Sequence, residues 1–167
     1  MARFTVSLEV AAPAGLVWTT LVDWPKHANW VPLTTVRITT PRPDGVGAGF
    51  VAHSGIGPLG FDDPMTVTGW QPPAGDGPDD AAGRCDLDKH GRVVHGIAWF
   101  EVVPLAGRRS RVIWHEDVTV APHVLTRYFT GVLSAVGRIG FRRALRAMAS
   151  EVERHHGTAK QPPAATR

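Results

Sequence analysis

The chain has 167 residues, of which 43% are hydrophobic and 20% charged, as is typical of one globular domain with its own core. The single cysteine, Cys85, excludes an intramolecular disulfide and a cysteine-rich metal site. The N-terminal residues lack the apolar stretch of a signal peptide, and no apolar run is long enough for a transmembrane helix. We therefore expect a cytoplasmic protein.

The net charge of +3 is unevenly distributed along the chain. Residues 1–106 carry 7 Lys/Arg against 11 Asp/Glu, whereas residues 107–167 carry 11 against 4. A basic C-terminal part can attract RNA or an anionic membrane. No aromatic residues interleave with these arginines as a stacking platform would need, which favours a solvated helix face and gives no reason to expect DNA binding.

The N-terminal third begins with a strand and two short helices. Residues 4–10 alternate between apolar and polar side chains, a pattern that predicts a half-buried strand. Pro13 suits the first position of a short helix that ends near Asp23, and Trp24 opens a second helical turn that reaches Trp30.

Six further strands are predicted in hairpin order. They cover residues 33–40, 49–54, 65–70, 84–89, 93–103 and 111–120. Between the third and fourth strands of the chain, Asp62 and Asp63 stand beside Pro64 and are predicted to be turn residues. Residues 71–83, rich in Pro, Gly and Asp, are expected to form an exposed loop.

A long helix is predicted after Pro122, where the apolar period changes from 2 to 3.6 residues. One apolar stripe includes Phe129, Val132, Leu133, Val136 and Ile139. A second stripe is rotated by roughly 100° and continues from Phe141 to Val152. Gly137 and Gly140 stand where the face shifts, so we expect a bend or a close backbone approach there.

These elements predict an α+β helix-grip fold. It consists of a curled seven-stranded antiparallel sheet around a long C-terminal helix, with two short helices after the first strand. A curled sheet that grips one helix tends to leave an internal apolar cavity, and a binding site is expected there.

Three segments resemble the START-like (birch-pollen-allergen-like, SRPBCC) superfamily, in its polyketide cyclase/dehydrase branch. Residues 12–32 follow AP-x3-VW-x2-L-x-DW-x5-W-x-P, residues 65–73 read MTVTGWQPP, and residues 111–116 read RVIWHE. The resemblance extends from Phe4 to about His155, so we expect one START-like domain over residues 1–157 and a disordered tail over residues 158–167.

The resemblance implies a hydrophobic cavity that binds lipids, polyketides or other apolar ligands. Some members of the superfamily cyclise or aromatise polyketides. No catalytic motif of the superfamily has a residue-by-residue match here, so the resemblance assigns no catalytic residue, and whether the protein is an enzyme stays open.

Two familiar motifs occur in the wrong structural setting. Residues 55–60 match G-x-G-x-x-G, but a strand rather than a helix follows, so we interpret them as a loop. That loop could cover the cavity mouth with Ile56, Leu59 and Phe61. His115 and Glu116 begin an H-E-x-x-H pattern, but position 119 is threonine and adjacent strand residues point to opposite faces. No metal site and no cofactor are therefore expected.

Glu116 is the candidate for a polar anchor or for acid–base catalysis. It shares a strand face with Val112, Trp114 and Val118, and a carboxylate buried among such residues has a raised pKa. The alternative, which we favour, is a glutamate at the cavity rim paired with an arginine of the long helix. His53 and His95 also lie on strands, where a surface or hydrogen-bonded histidine is the favoured interpretation.

The predicted cavity lies between the sheet and residues 125–136 of the long helix. Strand parity and the helical stripe give its expected lining: Phe50, Met65, Val67, Trp114, Phe129, Leu133 and Val136, with Glu116 as the polar group.

The strand over residues 93–103 is apolar on both faces. Ile97, Trp99 and Val103 lie on the face opposite to Ala98 and Phe100, and in a one-layer sheet that second face would be exposed. A homodimer contact there is our hypothesis.

Three functional hypotheses follow. The first is a protein that binds a small hydrophobic ligand, such as a lipid, a polyketide or an aromatic compound, in an internal cavity. The second is a polyketide cyclase or dehydratase in which Glu116 or a cavity histidine transfers protons. The third is a module that contacts RNA, another macromolecule or a membrane through its basic C-terminal helix.

Overall fold

The computed structural model describes residues 1–56, 60–121 and 130–159. Seven strands are present: β1 (Ala2–Val10), β2 (Thr34–Ile38), β3 (Gly49–Ser54), β4 (Phe61–Gln71), β5 (Gly83–His90), β6 (Val94–Leu105) and β7 (Arg109–Val120). Helix α1 (Ala14–Leu21), a 3-10 turn (Trp24–Lys26) and helix α2 (His27–Trp30) follow β1, and the long helix α3 is Thr130–Ala159. The predicted α+β helix-grip architecture is confirmed.

The strands form one antiparallel sheet in the order β1-β7-β6-β5-β4-β3-β2. From β2 to β7 each strand pairs with the next along the chain, as hairpin connections require. Strand β1 instead pairs with β7, which sets Phe4 opposite Glu116. The two short helices therefore belong to the connection that leads from one edge of the sheet to the other.

The short helices bring tryptophans onto the inner face of the sheet. Trp18, Trp24 and Trp30 are all buried. Trp24 stacks on Phe50 of β3 with ring centroids 4.2 Å apart, and Trp18 packs against Phe100 of β6 at 5.5 Å. These contacts join α1 and the 3-10 turn to β6 and β3, and the large aromatic side chains bury much apolar area there.

Helix α3 packs on the sheet with its second apolar stripe. Leu145, Met148 and Val152 are buried in the core. Val132, Val136 and Ile139 of the first stripe are more than half exposed, so these three residues do not pack on the sheet as expected. Both stripes are apolar, and the packing against β1 selects between them.

Gly137 marks the close approach of α3 to the sheet. A Cβ atom at this position would lie 2.6 Å from Cε1 of Phe4, whereas one at Gly140 would have no atom within 4 Å. The close approach expected near these glycines therefore occurs at Gly137. The helix ends at Ala159, two residues beyond the predicted domain end, and the rest of the predicted tail lies outside the described residues.

The outer face of the sheet is partly covered by its own polar side chains. Trp99 stacks on His115, and the Arg84 guanidinium lies 4.5 Å above the Trp99 ring. Asp86 and Glu101 hold Arg84 in place at 2.7 and 2.6 Å. Ile97 remains 53% exposed. The exposed apolar patch on which the homodimer hypothesis depends is therefore smaller than the sequence indicates.

None of the helices in the described part of the chain combines the length and apolarity that a membrane crossing requires.

Candidate functional site

A cavity of about 300 Å³ lies between the inner face of the sheet, the short helices and α3. Most of its wall is apolar. The sheet contributes Phe4, Val36, Phe50, Ala52, Met65, Leu87, Trp114 and Val118, the short helices contribute Leu21, Trp24 and Trp30, and α3 contributes Gly137, Phe141, Ala144 and Leu145. This volume is at the lower end of the range for small-molecule sites.

Helix α3 is held against the cavity by contacts on both of its sides. The ring of Phe141 packs between those of Phe4 and Trp114, with centroid distances of 5.3 and 5.6 Å. Trp30 of α2 donates a hydrogen bond from Nε1 to Oε2 of Glu151 at 2.7 Å. Contacts among the lining aromatic residues and the hydrogen bond to Glu151 therefore hold this part of the wall together.

A cluster of three charged side chains interrupts the apolar wall. The Lys89 ammonium lies 2.9 Å from Oδ2 of Asp63 and 3.3 Å from Oε2 of Glu116. Trp114 donates a hydrogen bond from Nε1 to Oε1 of Glu116 at 2.9 Å. All three charged residues are less than 9% exposed and all three line the cavity. We call Lys89, Asp63 and Glu116 the charged cluster.

Strand alternation and register bring the charged cluster together. Asp63 has the parity of Phe61 and Met65 on β4, and Lys89 has that of Cys85 and Leu87 on β5, so both charged side chains are on the inner face. Lys89 pairs with Gly96, and Glu116 pairs with Ala98. The intervening strand β6 thus presents only small residues between Lys89 and Glu116, which leaves the lysine stem a path across it.

The electrostatics of the cluster keep the lysine charged. Burial alone lowers the pKa of Lys89, but the Glu116 and Asp63 carboxylates together outweigh it, so the pKa is raised. Burial also raises the pKa of Asp63, and the nearby ammonium of Lys89 offsets that effect only in part. An ammonium held in this way is not a free amine, which argues against Lys89 as a nucleophile for carbonyl groups.

His27 is a further titratable residue in the wall, in addition to the charged cluster. It lies 2.7 Å from the Leu21 carbonyl oxygen through Nε2, which therefore carries the proton. Desolvation lowers the pKa of His27, and the hydrogen bond to Leu21 opposes this shift. The ring is thus neutral at pH 7 and leaves Nδ1 as an acceptor.

The structure places four of the eight predicted lining residues in the cavity wall: Phe50, Met65, Trp114 and Glu116. Two others lie elsewhere, and their placement has to be corrected. Val67 has the right parity but is buried in the core and is not among the cavity-lining residues. Val136 is 63% exposed, because α3 turns Gly137 and Phe141 toward the cavity instead.

The other two predicted lining residues cannot be compared. Phe129 lies outside the described residues, and so does the side chain of Leu133. The described helical part of the wall begins at Gly137, so this part of the cavity lies against a later turn of the helix than residues 125–136.

The expected surroundings of Glu116 also change. It is 2% exposed and lies within the cavity, and its cationic partner is Lys89 of β5 rather than an arginine of the long helix. His53, the other strand residue considered with it, pairs with Asp62 on the opposite face of the sheet at 2.8 Å.

Sequence reasoning missed Lys89, Asp63 and His27. The prediction that Asp63 is a turn residue is wrong, because β4 begins four residues earlier than expected, at Phe61. The signal that was missed is a charged residue on each of two neighbouring strands, at a position that the strand alternation assigns to the apolar inner face. The loop before β4 reaches Ile56, which is 67% exposed, while residues 57–59, including Leu59, lie outside the described residues.

No group of three His, Cys, Asp or Glu side chains in residues 1–56, 60–121 and 130–159 is arranged to hold a metal ion.

Comparison with solved structures identifies the fold. An aromatase/cyclase, ZhuI, from Streptomyces sp. R1128 superposes with a TM-score of 0.69 and 19% identity over 96% of this chain and 98% of its own. A START superfamily protein from Mycobacterium smegmatis gives 0.67 and 17% identity over 93% and 99%. A STAR-related lipid transfer protein from Xanthomonas axonopodis gives 0.60 and 17% over 90% and 85%.

The chain therefore has a START-like fold, as its sequence motifs indicated. No protein-family model matches the sequence, and no curated protein matches it. At these identities the structural likeness establishes the fold, and the function has to be argued from the cavity itself.

Proposed function

We propose that this protein binds a small, largely apolar ligand, such as a lipid, a polyketide or an aromatic compound, inside the cavity. The observation that carries the proposal is a cavity of about 300 Å³ whose wall is apolar and aromatic except for one charged cluster and a few polar groups. Such a wall favours an apolar body, and the few polar groups orient it. The names of the START-like neighbours, which include a lipid transfer protein, support the same proposal.

A cavity-filling variant tests the proposal. Ala52 lines the cavity from β3, and Ala52→Phe places a ring in that space. Val51 is the preceding residue on the same strand and faces outward, so Val51→Phe is the matched control. The ligand probe is N-phenyl-1-naphthylamine, an uncharged dye whose fluorescence rises in apolar surroundings.

We expect the dye to bind the wild type and Val51→Phe equally, and to bind Ala52→Phe at least about tenfold more weakly, a difference of about 1.4 kcal/mol. Equal binding to all three proteins would show that the dye enters elsewhere. Native mass spectrometry of protein purified from its source then identifies the natural ligand by its mass.

An enzymatic alternative is a polyketide cyclase or dehydratase. It is favoured by buried carboxylates inside the cavity and by the aromatase/cyclase among the structural neighbours. Such a reaction needs groups that take a proton from carbon and return one to oxygen, and Glu116 and His27 are the candidates. Glu116→Gln keeps the acceptor for Trp114 and removes the acid. Unchanged turnover of a poly-β-ketone substrate by this variant would exclude Glu116 from catalysis.

A further alternative concerns the exposed stripe of α3. Val132, Val136 and Ile139 share one helical face and are exposed, with exposed arginines from Arg142 to Arg146 next to them. Exposed apolar side chains beside arginines favour an anionic membrane surface over RNA. Co-sedimentation with phosphatidylglycerol vesicles, but not with phosphatidylcholine vesicles, is expected, and its reversal by Val136→Asp identifies the stripe. No sedimentation at low salt would exclude this alternative.

A further inference from the structure

We infer that the polar end of the ligand is a neutral hydroxyl group, bound by the charged cluster, and that the cavity discriminates against carboxylates. This inference rests on the proposed function, because it concerns the ligand of the same cavity. It is carried by two observations, the hydrogen bonding of Asp63 and the charge of the cluster.

One carboxylate oxygen of Asp63 has no hydrogen-bond donor in the described structure. Its Oδ2 atom receives Lys89, but Oδ1 is buried and accepts no hydrogen bond from any described residue. Both oxygens of Glu116, by contrast, have partners in Trp114 and Lys89. A buried carboxylate oxygen without a donor is costly, so it indicates a position where the ligand supplies an O–H or N–H group.

The charge of the cluster works against an acid. Two carboxylates share one ammonium, which leaves a net charge of −1 inside an apolar wall. The other titratable group of the described wall, His27, is neutral. A ligand carboxylate would therefore enter as a third negative charge opposite a single, already shared cation, in surroundings where unpaired charge is strongly disfavoured.

A hydroxyl satisfies the cluster better than an amine. An ammonium has three N–H donors, and two of those on Lys89 are directed to Asp63 and Glu116. A hydroxyl can donate to Oδ1 of Asp63 and accept the remaining N–H of Lys89. An amine that arrives as a cation would instead repel Lys89.

Three probes with the same bicyclic body separate these possibilities. They are 2-naphthol, which donates and accepts, 2-methoxynaphthalene, which only accepts, and 2-naphthoate, which is an anion at pH 7. Each is titrated against the protein loaded with N-phenyl-1-naphthylamine, and the displacement gives its Kd. The aromatic wall formed by Trp24, Phe50 and Trp114 suits a flat ring system.

We expect 2-naphthol to bind at least about tenfold more tightly than 2-methoxynaphthalene, because only 2-naphthol can donate a hydrogen bond to the charged acceptor Oδ1 of Asp63. We expect 2-naphthoate to bind more weakly than both. In Asp63→Asn the cluster becomes neutral, so the preference for 2-naphthol and the penalty on 2-naphthoate both shrink.

Asp62→Asn is the matched control, since Asp62 is adjacent on β4 and faces outward to His53. It should reproduce the wild-type order of affinities. Because that order is measured in the wild type, the inference stays testable even if Asp63→Asn fails to fold.

The outcomes separate the inference from the proposed function. Equal affinities of 2-naphthol and 2-methoxynaphthalene, or tightest binding of 2-naphthoate, would overturn the inference while the cavity remains a binding site. If none of the three probes displaces the dye, the inference is also overturned, since the hydroxyl group then adds nothing to the affinity. Failure of the dye itself to bind would refute the proposed function, and the inference with it.

Discussion

Replacing Lys89 by methionine keeps an unbranched side chain of similar volume, one atom shorter, but removes the ammonium that Asp63 and Glu116 share. The side chains of Asp63 and Glu116 are 12% and 2% exposed, so neither carboxylate can turn to bulk water without opening the sheet or the helix packed on it. The variant therefore isolates the effect of uncompensated buried charge from that of lost packing volume.

The distances set the size of the effect. At an effective dielectric constant of about 20, unit charges 2.9 and 3.3 Å apart attract by about 6 and about 5 kcal/mol. Most of this attraction offsets the desolvation of the three groups. The loss measured when one partner of a buried pair is removed is about 3–5 kcal/mol. We expect Lys89→Met to lower the free energy of unfolding by this amount at pH 7.5.

The loss should depend on pH with a defined sign. Without the ammonium, nothing from Lys89 offsets the burial that raises the pKa of Asp63 in the folded state. Folded-state pKa values above the unfolded ones stabilise at low pH, and that stability is lost as the pH rises through the folded-state values. Urea unfolding followed by tryptophan fluorescence should therefore show a smaller difference from wild type at pH 5 than at pH 7.5.

A second variant controls for general damage to the core. Replacing the whole cluster, with Lys89→Met, Asp63→Val and Glu116→Gln, removes every charge and keeps an acceptor for Trp114. It should recover most of the lost stability, because it leaves no unpaired charge buried, and replacing a buried ion cluster by uncharged side chains that pack well is often neutral or stabilising. The reasoning is refuted if Lys89→Met costs less than about 1 kcal/mol, or if its cost is the same at both pH values.

Three further predictions concern single residues. Cys85 is fully buried and burial raises the pKa of its thiol to about 12, so it should react with Ellman's reagent only in denaturant; rapid reaction of the native protein would contradict this. Desolvation lowers the pKa of His27, so the stability contributed by its neutral ring is present above the ordinary pKa of 6.5 and lost as the pH falls below it. Wild-type protein should therefore lose more unfolding free energy between pH 7.5 and 5.5 than His27→Gln, and an equal loss in both would exclude His27 as the cause. Gly137→Ala should lower the Tm because its Cβ meets the Phe4 ring at 2.6 Å, whereas Gly140→Ala, in open space on the same helix, should raise it through helix propensity worth about 1 kcal/mol; the opposite order would show that the ring simply moves aside.

The local pattern of apolar and polar residues was sufficient to predict the architecture of the domain. The alternation over residues 4–10, the hairpin turns and the helical period after Pro122 predicted the order of the described elements, and the three motif segments indicated the START-like fold. These features depend only on residues that are close together in the sequence, because the spacing of apolar residues in a strand or helix is evident within a few residues.

The buried face of the long helix could not be chosen in this way. Val136 and Phe141 belong to two apolar stripes of similar strength, and periodicity alone does not say which one meets the sheet. The choice is made by a long-range contact, the approach of Gly137 to Phe4 of β1, and in the described part of the helix Gly137 and Phe141 rather than Val136 therefore line the cavity.

What the sequence determined by itself was a seven-stranded helix-grip domain with an apolar cavity and Glu116 on the inner face of β7. What only the tertiary structure decided was the partnership of Glu116 with Lys89 and Asp63, which come from three different strands. Their meeting depends on the register of β4, β5, β6 and β7 and on the small residue Gly96 between them. From their own segments, Asp63 was predicted to be a turn residue and no role was predicted for Lys89, so only pairing across the sheet brings the three charges into one buried cluster.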